Sequence, residues 1–229
     1  MSCKSNISVS YNKGRFSLLK KSDSFLIAAL LSFSGGLQDA YTYNVRDHVF
    51  ANAQTGNIVL MSQNLMTGNF MKAAEYLLPV TAFLSGVITS VIIEQSFQKP
   101  DGITWKRAVI LAEIVALTAV GFFPAHYRAI PNMLVSFSCA MQVRTFREIY
   151  GNRFASTMCI GNMTAAMDSL GRYLYLKDRE DLRKVCILFS LILIFAIGAG
   201  FGGVMSHITT TGTIWFSSAL LILVGILLP

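Results

Sequence analysis

Phe33-Ser34-Gly35-Gly36-Leu37-Gln38 returns later in the chain as Phe137-Ser138-Cys139-Ala140-Met141-Gln142. The Phe50-Ala51 and Gly56-Asn57 that follow return as Phe154-Ala155 and Gly161-Asn162, and Leu65 returns as Leu170. The offset is 104 residues and becomes 105 after one insertion. Most of both copies is apolar, and a duplicated apolar unit in a membrane chain is the usual ancestry of transporters and channels.

Composition places the 229 residues in a bilayer. Hydrophobic residues make up 53%, charged residues 14%, and mean hydropathy is +0.53, whereas a soluble domain carries about a quarter charged residues. Val185 to Ser206 holds no ionisable side chain except Cys186, and such a run is long enough to cross hydrocarbon. The first 23 residues hold Lys4, Lys13, Arg15, Lys20 and Lys21 against Asp23. With no early apolar core and no small-residue cleavage site, they read as a cytoplasmic tail rather than a signal peptide. The net charge of +7 is dispersed among membrane connections, which leaves no room for a nucleic-acid module. Cys3, Cys139, Cys159 and Cys186 are scattered without metal-ligand or disulfide spacing.

Each copy divides into four elements. In the first copy they run from Ser24 to Tyr43, Thr55 to Gly68, Leu77 to Ile93 and Arg107 to Phe123; in the second, from Ile130 to Val143, Gly161 to Leu174, Val185 to Ser206 and Thr213 to Leu228. Trp105 and Trp215 mark the starts of the fourth elements, where aromatic belts sit. The second element of each copy is short and polar, carrying Asn57, Ser62, Gln63 and Asn64 in one and Asn162, Thr164, Asp168 and Ser169 in the other. Such segments are more often re-entrant, interfacial or buried in protein than spanning. If neither spans, Lys and Arg divide as 16 inside against 3 outside (Arg46, Lys72 and Arg128), and if both span, as 12 against 7. The positive-inside rule favours the first. Three spans per copy is an odd number, so the second copy lies upside down relative to the first.

The expected fold is therefore an all-α integral membrane protein: six full transmembrane helices plus two short re-entrant or half helices, in two inverted structural repeats. Residues 1–23 form the basic tail, 24–123 the first repeat, 124–131 a connector and 132–229 the second repeat, all in one compact membrane domain. Both termini are expected in the cytoplasm.

Candidate functional residues follow from that topology, because irregular backbone at membrane depth survives only against protein or a water-filled cavity. At Thr55-Gly56-Asn57 glycine lets another backbone approach, while Thr and Asn can cap the helix and face its amides toward a solute. Gly161-Asn162 is the equivalent, without the threonine. Two converging helix starts would suit a small polar or anionic solute; the alternative is that both asparagines only cap buried helices. Gln38 and Gln142 match each other late in the first elements and need partners. Asp39 matches Val143 and breaks the symmetry with a charge, either for proton or cation contact or as a partner for the first short helix. Glu113 lies six residues into its element among apolar neighbours, either in a buried hydrogen bond or proton-linked. Asp168 has Arg172 one turn on as a potential partner. Gly198 and Gly202 form a Gly-x-x-x-Gly suited to close helix packing, with Gly86 as the first-copy counterpart of Gly198.

The FSGGLQDAYTY segment, the TGN triplet, the second GN and the late GAGFGG cluster together resemble the YoaK-type bacterial membrane proteins, a family of unknown function. The resemblance implies a bacterial inner-membrane protein of about six helices and brings no substrate. A small-solute transporter or channel is the first expectation, and a non-transporting scaffold or sensor binding a protein or lipid the second. No metal-hydrolase or serine-nucleophile motif is present, so neither enzyme nor cofactor is expected. The lipid bilayer is the expected environment, a homo-oligomer is left open, and nucleic acid is not an expected partner.

Overall fold

The computed structural model describes residues 25–97, 104–149 and 152–228; the basic tail and Cys3 lie outside them. Eight α-helices occur among the described residues: α1 Phe25–Val45, α2 Gln54–Met66, α3 Phe70–Ser96, α4 Thr104–Phe122, α5 Ala129–Thr145, α6 Cys159–Leu176, α7 Arg179–Thr209 and α8 Ile214–Leu227. A two-stranded antiparallel hairpin of two residues a side, Glu148–Ile149 with Asn152–Arg153, precedes α6 and leaves the all-α class unchanged. α3 and the run from Arg179 to Leu227 are apolar and long enough to cross a membrane.

Local chemistry sets the boundaries. α1 ends at Arg46-Asp47-His48, where Asp47 and His48 take left-handed conformations (φ 66° and 60°) that turn the chain. α2 ends at Gly68 (φ 76°), and the Asn69 side chain then caps α3 by accepting from the Lys72 amide. That cap starts α3 seven residues before the Leu77 expected from hydropathy, and the helix continues through Pro79. α7 likewise starts at Arg179, ahead of Val185, because Asp178 caps it and Glu180 and Asp181 favour its positive end.

Contacts between helix ends give the direction of each helix. Asp47, before α2, accepts from Lys72, after it, at 2.6 Å, so α2 returns the chain to the end of the bundle it left. Arg107 at the start of α4 donates to the Leu228 carbonyl at the end of α8 (2.8 Å), while Trp215 at the start of α8 donates to the Thr118 carbonyl (3.1 Å), so these two helices are antiparallel. Glu94 and Arg144, near the ends of α3 and α5, form an ion pair, so α3 and α5 run parallel. Gly198 and Gly202 of α7 face the carbonyls of Phe33 and Leu37 of α1 in the same order, so α1 and α7 are parallel too. α7 must therefore start at the end where α5 finishes, and α6, like α2, returns to the end it left.

Glycine permits the two parallel crossings. A Cβ on Gly36 would lie 2.0 Å from the Phe195 carbonyl oxygen, and one on Gly198 would lie 2.2 Å from that of Phe33. Gly86 of α3 meets Phe137 of α5 in the same way, at 2.4 Å. Helices this close gain dispersion and backbone contacts that larger residues would forbid.

Arg46 closes one end. Its guanidinium is fully buried and donates to the Tyr41 hydroxyl (2.9 and 2.7 Å) and to the carbonyls of Pro124, Tyr127, Val120 and Phe123 at 2.7 to 3.2 Å. Val120 and Phe123 belong to the last turn of α4 and its exit, where unpaired carbonyls and the helix dipole attract a cation. Beside it, Asp47 also accepts from Arg128 at 2.9 Å. The Lys72 hydrogen bond holds the Asp47 carboxyl below its ordinary range. Its contribution to stability is therefore present above that range and lost as pH falls through the depressed value. Asp47→Asn is expected to cost about 0.2 to 1 kcal/mol per partly exposed pair at neutral pH. In thermal unfolding at a series of pH values, the gap to the native chain should close toward acid and stay level if the bridge contributes nothing.

A polar centre between two returning helices

Each Gly-Asn asparagine fastens the loop that leads into its helix. Asn57 Nδ2 donates to the Phe50 carbonyl (3.1 Å) and to Gln54 Oε1 (3.2 Å). Asn162 Nδ2 donates to the Ala155 carbonyl (2.7 Å), and its Oδ1 accepts from the Ala155 amide (3.1 Å). Both side chains reach back seven residues, and no hydrogen bond joins the two asparagines among the described residues. Thr55 is exposed and Ala53, not threonine, occupies the cap position of α2. No atom lies within 4 Å of a Cβ built on Gly56 or Gly161, so neither glycine admits a neighbouring backbone as the sequence suggested. Tight turns entering the helices, not close packing, surround these residues.

The polar residues that meet lie in the preceding loops and on α1 and α5. Asn52 Nδ2 donates to the Gly35 carbonyl (3.2 Å), and its backbone amide donates to Asp39 Oδ1 (3.2 Å). From the other loop, Ser156 Oγ accepts from Gln142 Nε2 at 2.6 Å, and Thr157 Oγ1 lies 3.5 Å from Cys139 Sγ. A Cβ on Gly35 would touch both Thr157 and the Ser156 carbonyl, so both loops abut the same turn of α1. Gln142 Nε2 also reaches the Leu31 carbonyl (3.4 Å), tying α5 to α1. Gln38 Nε2 donates to Ser34 Oγ (3.1 Å) and Ser217 Oγ (2.9 Å), and those two hydroxyls bond each other. Gln38, Gln142, Asn57 and Asn162 are all buried.

One atom of each central amide is left over. Gln38 Oε1, Asn52 Oδ1 and Gln142 Oε1 are buried without a hydrogen-bond partner among the described residues. A buried acceptor without a partner costs about 1 to 3 kcal/mol, so water or a solute bearing donors is favoured at each of these three atoms. Asn52, Ser34, Ser217, Ser156 and Thr157 were not singled out in the sequence. The available signal was that Asn52 and Thr157 are polar residues standing five positions before Asn57 and Asn162.

Other candidates fall elsewhere. Arg172 bonds Asp181 (3.1 Å) and Ser169 (2.9 Å), and among the described residues no hydrogen bond joins it to Asp168. Glu113 is fully buried in α4, and both its carboxyl oxygens lack a partner among the described residues. A cavity of about 640 Å³ opens at the end carrying the Glu94–Arg144 pair, lined among others by Lys106, Phe146, Phe154 and Ala155, and so reaches the loop that Asn162 holds.

The model for a family described as protein of unknown function (DUF1275) matches residues 27–227, nearly all of this fold. The chain belongs to that family. It is 26% identical over 184 residues to the UPF0700 transmembrane protein YoaK of Bacillus subtilis (strain 168), covering 76% of this chain and 80% of that protein. No solved structure matches. Family membership agrees with the apolar helices and makes this a membrane protein of the YoaK type, and the match spans both asparagine-fastened loops.

Proposed function

We propose that this protein passes a small polar solute across the bacterial inner membrane, through the centre where the loops before α2 and α6 meet α1 and α5. The observation that carries this is the set of amide oxygens on Gln38, Asn52 and Gln142 left unpaired among the described residues, with the Asn52 backbone amide on the Asp39 carboxyl. Unpaired acceptors match a solute bearing N–H or O–H donors better than an anion, so of the small polar or anionic solute expected from sequence the polar one is retained, and a cationic donor is added to it. Asp39 makes the two halves unequal, and the chain itself performs no covalent chemistry.

In this reading α1, α3, α4, α5, α7 and α8 are the six spans, and α2 and α6 are re-entrant. The Asp47–Lys72 contact supports the first return, since a spanning α2 would place those residues on opposite membrane faces. The two halves are inverted repeats: α7 packs on α1 as α3 packs on α5, and the exchanged partners run in opposite directions. Both termini lie in the cytoplasm, on the face that gathers 16 of the 19 Lys and Arg residues.

A proteoliposome screen of neutral and cationic small solutes tests the function. Gln142→Met keeps the volume and removes the amide, and it is expected to cut flux about tenfold, the equivalent of roughly 1.4 kcal/mol, while the protein still inserts and elutes as a single species. Unchanged flux in Gln142→Met and Asn52→Leu together would place the path elsewhere.

A further inference from the structure

We propose that Glu113 is a proton-binding site, loaded from the cavity at the Lys106 end of α4. It is the tenth residue of a nineteen-residue helix, 0% exposed, with no hydrogen-bond partner for either carboxyl oxygen among the described residues. A carboxyl in that setting that formed a structural hydrogen bond would show a partner. One placed there for packing would be served better by leucine, because an unpaired polar group at membrane depth is costly and marks ion or proton pathways.

The buried stripe of α4 joins the group to solvent. Lys106, Val109, Ile110 and Glu113 follow one another on it, and Lys106 lines the cavity. Seven residues separate Lys106 from Glu113, a rise of about 10 Å. Val109 and Ile110 are 0% and 1% exposed and form a turn of dry packing between them. The opposite end is closed at a similar distance, because the Arg46 guanidinium sits on the Val120 carbonyl seven residues further on. The geometry thus gives Glu113 a short route to water on the cavity side.

The surrounding charges leave the carboxyl without an ion-pair partner. α8 and the 3-10 turn before it bring no ionisable side chain to α4. α5 brings the Cys139 thiol and, at its end, Arg144, which is paired with Glu94 of α3; the remaining ionisable residues of α3, Lys72, Glu75 and Tyr76, lie at its other end. Beyond Cys139 stands Asp39 of α1, whose carboxyl accepts from the Asn52 amide. Lys106 and Arg107 stand about two turns away on α4 itself. A proton shared between Glu113 and the Asp39 centre would link solute passage to pH; this last step rests on the proposed function, whereas proton binding at Glu113 does not.

Infrared spectroscopy of the full chain in liposomes tests the site without any solute. The C=O stretch of a protonated carboxyl should be present in acid, shift on transfer to D₂O, fade as pH rises, persist in Asp39→Asn and disappear in Glu113→Gln. Ile110→Ala, which thins the dry turn, should speed the D₂O shift at least severalfold. The native chain offers a second readout: a membrane-soluble carbodiimide, which adds the O–H of a protonated carboxyl across its C=N bond, should label Glu113, and less so at high pH. A Glu113 band that neither titrates nor exchanges, or no band and no label at any pH, overturns the proposal. Exchange at Glu113 with no flux of any solute would overturn the transport reading and leave this one standing; flux with a silent Glu113 would do the reverse.

Discussion

Arg46→Gln is expected to lose on the order of 3 to 5 kcal/mol of stability, comparable to breaking a buried ion pair. The guanidinium is fully buried, and every one of its nitrogens has a bond, to one hydroxyl and four backbone carbonyls. Glutamine brings two N–H donors, so at least two carbonyls would be left buried without a partner, each costing about 1 to 3 kcal/mol. The cation facing the C-terminal end of α4 is lost as well. Arg46→Lys should recover only part, because an ammonium has three donors and lacks the planar fork. Thermal unfolding in detergent micelles measures both; a loss under about 1 kcal/mol for Arg46→Gln would mean that water enters this end and pairs the carbonyls.

Gly36→Leu has the second large effect, because its Cβ alone would sit 2.0 Å from the Phe195 carbonyl and only backbone movement can relieve that. Gly36→Ala should already cost about 1 to 3 kcal/mol through overpacking, and the leucine variant should fail to bring α1 and α7 together. Gly200 supplies the control: it lies on the same α7, with no atom within 4 Å of a Cβ built there. Gly200→Ala should be neutral or gain about 0.5 to 1 kcal/mol of helix propensity. The inverted-repeat reading adds that Gly86→Ala and Gly198→Ala should cost alike, since each would press on the carbonyl of the matching phenylalanine, Phe137 or Phe33. Equal tolerance of alanine at positions 36 and 200, read by size-exclusion profile and melting temperature, would show that the crossing is looser than these distances.

The membrane class and the helices were legible because they depend on long apolar runs, which need only composition and length. The starts of α3 and α7 were misplaced because polar caps, Asn69 and Asp178, extend helices past the point where hydropathy drops. The glycine crossings were half legible: Gly-x-x-x-Gly announces close packing, while the identity of the partner, Phe33 on a helix 165 residues away, is a tertiary fact. Gln38 and Gln142 stood out as amides in apolar sequence and do sit in the polar centre. Asn57 and Asn162 stood out equally and are engaged by their own loops, because an asparagine early in a helix satisfies a backbone carbonyl before it can face a solute. Arg46 looked like an ordinary loop cation. Only the fold shows that its loop turns inward and that four carbonyls converge on it.

Both short helices returning to the face they left is the central claim, and sided cysteine labelling tests it most directly. In a background freed of the four native cysteines, single cysteines are placed at His48 and Asn69, on either side of α2, and at Arg147 and Lys177, on either side of α6. A membrane-impermeant maleimide added to intact cells should label the first two and spare the others, which should react only in inverted vesicles. A split within either pair would mean that α2 or α6 crosses the membrane, and the inverted arrangement would be wrong.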